Sequence, residues 1–336
     1  MEVLHDTPFK ASLDSILDKD GSEARVAVLK ATYDIRPDGT LRVAEQQVLV
    51  TVTDEFFGDP ATSSPADQGD GALFKPDTDV VVIGRVYTPG GKPATEVDAS
   101  VSLGQVSAAV RVAGDRTWAG SVVGVKATPP ATFTEMPITW GRSFGGIDAT
   151  DPDPKRHRWD ARNPAGTGFR SSRTDLEGLA LPNFEDPRHP MSNWNDKPTP
   201  RGFGFIGRGW EPRLRYVGTY DDAWQKNRMP ILPTDFDYRY FNGAPPGLIH
   251  PGHLRGGEEV RMVNLSRRGT EAFRLPRVRV RFRVVAKRKR QVVDASLDTV
   301  RLLTDGPRVV LLWRSKYAVA LNEAADEVML LLETER

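Results

Sequence analysis

Residues 145–257 carry 15 of the chain's 30 glycines, 14 of its 26 prolines and four of its seven tryptophans. Glycine and proline at that density interrupt any helical or strand period, so this stretch cannot be built from long regular elements. A disordered segment would be poor in aromatics, because too little apolar area is available to offset the entropy of ordering it. Here the reverse holds: Trp159, Phe169, Phe184, Trp194, Phe203, Phe205, Trp210, Tyr216, Tyr220, Trp224, Phe236, Tyr238, Tyr240 and Phe241 all fall within it. The segment is therefore expected to be ordered but irregular, and long ordered loops are common places for a recognition surface.

The flanking sequence is β-like. Residues 26–36 are rich in β-branched and aromatic side chains, Arg36-Pro37-Asp38-Gly39-Thr40 has turn chemistry, and a second apolar-polar run covers 41–52, which together predict a hairpin. After a polar loop, short apolar runs at 80–83, 97–103, 107–112 and 122–125 are separated by Gly, Pro or Asp. Further on, 259–265 reads as a strand. Val278, Val280, Phe282 and Val284 then alternate with Arg277, Arg279, Arg281 and Arg283, one face apolar and one basic. Lys287-Arg288-Lys289-Arg290 reads as a charged hairpin tip, and Asp305-Gly306 as a turn into 309–313. The tail is ambiguous. Asn322 can cap a helix with Glu323, Asp326 and Glu327 in its first turn, whereas 328–332 suits a last strand; the helix is the expectation. The fold class expected is mainly β, with antiparallel sandwich- or barrel-like sheets, a long loop-rich Gly/Pro/aromatic insertion and little helix. The divisions drawn are an N-terminal β domain over 1–144, the aromatic segment over 145–257 packed on it, and a C-terminal β-rich segment over 258–336.

Charge excludes some partners. Forty-six basic against 45 acidic side chains leave no overall attraction to nucleic acid or an anionic membrane, so any charge-driven binding must be local. No cysteine means no disulfide, thiolate metal site or cysteine nucleophile. The start lacks the basic and apolar regions of a signal peptide, and no apolar run approaches the roughly 20 residues of a membrane helix. A soluble, cytoplasmic protein without cofactor is expected.

Several motifs suggest chemistry and then lose it in context. Gly202-Phe203-Gly204-Phe205-Ile206-Gly207 matches G-x-G-x-x-G, but prolines at 198, 200 and 212 replace the strand before and the helix after that dinucleotide binding requires. Gly141-Arg142-Ser143-Phe144-Gly145 matches the nucleophile elbow G-x-S-x-G, yet Gly146-Ile147-Asp148-Ala149-Thr150-Asp151-Pro152 makes a poor helix start behind it. His250 and His253 are separated by Pro251 and Gly252, which preclude the helical face on which two imidazoles share a zinc ion. Asp235 with Asp237 and Asp151 with Asp153 are carboxylate pairs of the kind that usually cap loop amides. From Arg274 to Arg290 there are nine Lys or Arg and no acid, a stripe that serves a solvated strand face or an acidic partner better than nucleic acid.

A string of short motifs extends over 30–273: Asp54-Glu55-Phe56-Phe57-Gly58-Asp59-Pro60, Phe74-Lys75-Pro76-Asp77-Thr78-Asp79-Val80, Gly114-Asp115-Arg116-Thr117-Trp118, Phe133-Thr134-Glu135-Met136-Pro137 and Phe144-Gly145-Gly146. It goes on through Arg162-Asn163-Pro164-Ala165-Gly166-Thr167-Gly168-Phe169, Leu181-Pro182-Asn183-Phe184-Glu185-Asp186-Pro187, Gly218-Thr219-Tyr220-Asp221, Leu232-Pro233-Thr234-Asp235-Phe236-Asp237, Phe241-Asn242-Gly243-Ala244-Pro245-Pro246 and Gly256-Gly257-Glu258. In this the chain resembles a bacterial domain-of-unknown-function family associated with type VI secretion as adaptors that load toxic effectors onto the spike. Trp140-Gly141-Arg142-Ser143 departs from the Tyr-Glu-Arg-Ala type expected ahead of Phe-Gly-Gly, which makes the serine elbow look like local variation. The resemblance implies no catalytic residue. It implies a secreted effector and the VgrG/PAAR spike proteins as partners, while the balanced charge and the short apolar runs point to no nucleic acid and no membrane. The candidate contact residues are Trp194, Trp210 and Trp224 in the aromatic segment, then Arg277, Arg279, Arg281 and Arg283, since Trp and Arg dominate interface energetics. Two alternatives stay open: a hydrolase using Ser143 or the Asp235 and Asp237 pair, and a structural part of the secretion apparatus.

Overall fold

A computed structural model describes residues 3–121, 124–286, 289–318 and 327–334, and within them the chain is mainly β. The strands that carry the architecture are β1 (Lys10–Leu17), β2 (Glu23–Ile35), β3 (Thr78–Ile83), β4 (Glu96–Leu103), β5 (Val106–Ala113), β6 (Glu259–Val263), β7 (Thr270–Arg274), β8 (Val278–Ala286), β9 (Lys289–Asp294), β10 (Ser296–Leu303), β11 (Arg308–Ala318) and β12 (Glu327–Thr334). Among the described residues they form three large open sheets. The first runs Ile249–His250, β3, β10, β11, β2, β1, with Leu41–Val43 also on β2; only β3 and β10 are parallel. The second runs Phe184–Glu185, β5, β4, β6, β7, antiparallel throughout. The third runs Val3–Leu4, β12, β8, β9, with its first pair parallel.

Side-chain alternation explains how these sheets meet. On β2, Ala27, Leu29, Ala31, Tyr33 and Ile35 point into a core shared by all three sheets, while Ala24, Val26 and Val28 point to a second cluster on the opposite face. A strand covered on both sides reads as an almost continuous apolar run, as this one does. On β8, Val280, Phe282 and Val284 enter the shared core and the arginines between them turn away. Fully buried side chains such as Leu29 and Phe282 each contribute about 1.5–3 kcal/mol.

Two expectations are corrected. The hairpin partner expected over 41–52 is a strand only at Leu41–Val43, because the Gln47 amide takes the place of a backbone: it accepts from Thr32 N at 2.8 Å and donates to Thr32 O at 3.0 Å. The tail over Glu327–Thr334 is a strand and not a helix; it pairs with β8 along its length and buries Val328 and Leu330. Asn322, Glu323 and Asp326 lie outside the described residues, as do Lys287 and Arg288 of the expected hairpin tip.

The middle segment consists of two-residue strands, 3-10 turns and one helix, α1 (Asp222–Asn227), whose N-terminus Asp221 caps by accepting from Trp224 N. Buried charge fastens it to the loop that precedes β3. Arg213 donates to Gln68 Oε1 at 3.0 Å, to Ile206 O at 2.8 Å and to Tyr240 O, and burial pushes its guanidinium down to about 10.

Candidate binding groove

The motif residues meet one another. Asp79, fully buried at the start of β3, accepts from Lys75 Nζ at 2.7 Å, Asn242 Nδ2 at 3.0 Å, Gly243 N at 2.9 Å and Ala244 N at 3.2 Å, so motifs about 160 residues apart share one carboxylate. Asn183 donates to Ala113 O and Asp115, while Arg116 pairs with Glu185 at 2.8 Å. Asp54 takes both Arg208 nitrogens at 2.7 and 2.8 Å, and Asp235 accepts from Thr219 N and Oγ1. At Gly145, with φ of +143°, a Cβ would stand 2.2 Å from Asn163 O, so the Phe-Gly-Gly turn admits no side chain there. These residues hold loops in place.

What the loops enclose is a groove of about 770 Å³ over the outer face of the second sheet. Its floor is two cross-strand rows, Ser107 with Ser102 and Arg261, and Ala109 with Ser100 and Val263, so that small side chains leave the sheet open. Pro187 and Pro200 stand among its other lining residues, as do Pro245 and Pro246 from the turn that Asp79 anchors. Both carboxylates of the groove are already occupied. Asp98 takes Arg111 in a two-point contact at 2.8 and 3.1 Å, which holds its carboxyl below the usual value. Asp186 is held low by the Arg188 amide and by the Arg201 guanidinium. Arg188 and Arg261, exposed, have no carboxylate partner among the described residues. The size fits the roughly 300–1,000 Å³ of ligand clefts.

The sequence candidates lie elsewhere. Trp194 packs half-buried on the small cluster of Trp118, Phe144, Leu181 and Met191. Trp210 lies over Gly207, leaving 2.6 Å to a Cβ there, and Trp224 donates to Ile231 O at 2.8 Å while its ring meets Tyr220 at 4.5 Å. Arg279 pairs with Asp294 at 3.0 Å, Arg281 with Glu333, Arg283 reaches Met329 Sδ, and Arg277 lies against Gly257. β8 is an inner strand, so the basic stripe protects no edge. Ser143 is fully buried and donates to Arg201 O at 2.5 Å, and its loop runs into a two-residue strand in place of a helix. Asp237 caps the turn Tyr238–Phe241 and pairs with Arg239, apart from the contacts of Asp235. His253 donates through Nε2 to Lys75 O at 2.9 Å, and His250 faces Gln105; the two share no partner among the described residues. In the glycine motif, Phe203, Phe205 and Ile206 are buried and Phe203 O accepts from Val82 N of β3. The groove has one signal in the sequence, the run of small residues at the outward positions of β4 and β5, where strands usually carry larger side chains.

The chain is thus an open-sheet β protein with a loop-walled groove and motif residues that fasten its loops. A family model described as "Uncharacterized protein conserved in bacteria (DUF2169)" matches residues 20–314, and the chain belongs to that family. No curated protein and no solved structure matches it. Among the described residues no helix is long and apolar enough to cross a membrane.

Proposed function

We propose that the protein works by holding another polypeptide, as an adaptor and chaperone of type VI secretion that keeps a secreted effector intact and passes it to the VgrG/PAAR spike. The observation that supports this is the groove: a loop-walled sheet face with small side chains on its β4 and β5 floor, on a scaffold whose motif residues are spent on fastening loops. The motif resemblance supplies the secretion context. The burial of Ser143 and its bond to a backbone carbonyl count against hydrolysis through that serine, since a nucleophile needs a base within hydrogen-bond reach. Deleting the gene is expected to lower both the level and the secretion of the effector encoded beside it. Unchanged level and unchanged secretion of every such effector would overturn the reading.

A further inference from the structure

We infer that the groove over β4, β5 and β6 receives an extended, acidic segment of the partner protein. This rests on the binding reading above and names the chemistry of the occupant. Three observations carry it. The floor rows leave the hydroxyls of Ser100, Ser102 and Ser107 without a protein partner among the described residues, so they are available to donate to carboxylates or backbone carbonyls. Small side chains across two adjacent strands let an extended chain lie close to the sheet. The charge is unbalanced in one direction: Asp98 and Asp186 are already held by Arg111 and Arg201, and Arg188 and Arg261 are left over. An approaching carboxylate therefore meets free cations and no free anion.

The test uses the purified full-length chain and fluorescence anisotropy at low salt, where exposed charges are least screened. The probes are a labelled decapeptide of alternating Glu and Ser, its Lys and Ser counterpart, and a deoxythymidine decanucleotide. The Glu peptide should bind about tenfold or more tightly than the Lys peptide, because like charge in a shared cleft is strongly penalised. Arg188→Glu with Arg261→Glu should reverse that preference, and Arg36→Glu with Arg42→Glu, exposed positions outside the groove, should leave it unchanged. Ala109→Trp, at an exposed strand position that tolerates a large side chain, should abolish binding of either peptide. Equal binding of the two peptides, or oligonucleotide binding as tight as that of the Glu peptide, overturns the inference. In the native cell, loss of the effector with Ala109→Trp but not with the double Arg variant would overturn the acidic occupant while leaving the adaptor reading intact. Effector levels unaffected by both variants would remove the groove from the interaction, and the gene deletion then decides the adaptor reading separately.

Discussion

Replacing Asp79 by alanine should undo the joint between the first sheet and one wall of the groove. The carboxylate is fully buried and takes four donors: Lys75 Nζ, Asn242 Nδ2 and the amides of Gly243 and Ala244. Removing one member of a buried ion pair costs about 3–5 kcal/mol. Lys75 retains Thr299 Oγ1 at 2.9 Å, which places its share at the low end, about 3 kcal/mol. Two stranded amides add about 1 kcal/mol each, for about 5 kcal/mol in all. The urea midpoint followed by tryptophan fluorescence should fall accordingly, and the Gly243 and Ala244 amides should exchange with solvent at least about thirtyfold faster, the equivalent of their own 2 kcal/mol. Adding Lys75→Met to Asp79→Ala removes the stranded charge and should recover about 2 kcal/mol. A single variant within about 1 kcal/mol of the parent, with those two amides still protected, would refute the view that this carboxylate fastens the loop.

Acid should destabilise the fold through Asp54 and Asp70. Burial alone would raise both carboxyls, but Arg208 acts on the first, Arg301 and Lys30 on the second, and both end below 3.8. Since their native values lie below the unfolded one, their stabilisation is complete above that value and is lost as pH falls through the native values; burial raises Asp67, which offsets part of the loss. Thermal unfolding at pH steps from 7 to 3 should show this, and a flat profile would contradict it. Ser143→Ala should cost about 1 kcal/mol for the lost bond to Arg201 O. The same change should leave ester hydrolysis at background, and loss of a measurable turnover in that variant would reinstate the serine. Gly145→Ala should give little folded protein, because 2.2 Å to Asn163 O is backbone contact that cannot be relieved locally; a variant with parental circular dichroism and melting point would disprove the close approach.

Local pattern carried much of the fold. Alternation over 278–284 and the double-sided apolar run of 26–35 became β8 and β2, and the glycine- and proline-rich middle became short turns on one helix. Where a side chain replaced backbone, as Gln47 does for Thr32, period and propensity had no way to register it. The tail failed for a related reason: its strand depends on β8, some 45 residues earlier, while capping residues are a local signal. The groove is harder still to see. Its floor comes from three strands, its walls from 186–202 and 245–247, and the charge left over on Arg188 and Arg261 is defined only after Asp98 and Asp186 find their partners. Residue type pointed to tryptophan, but type does not fix depth: Trp194, Trp210 and Trp224 are half-buried, whereas Trp159 stands 58% exposed opposite Ile147.

The order of the first sheet bears on how the chain is made. β2 ends at Ile35 and its long neighbour β11 ends at Ala318, so the ribosome adds 283 residues between them. At about 5–20 residues per second that is about 14–57 seconds during which an aliphatic strand waits with one hydrogen-bonding edge unfilled. The sheet cannot close until β11 has left the ribosome. Until then the nascent chain carries an unfilled strand edge of the kind that invites pairing with other chains, and a stop before β11 leaves that edge open.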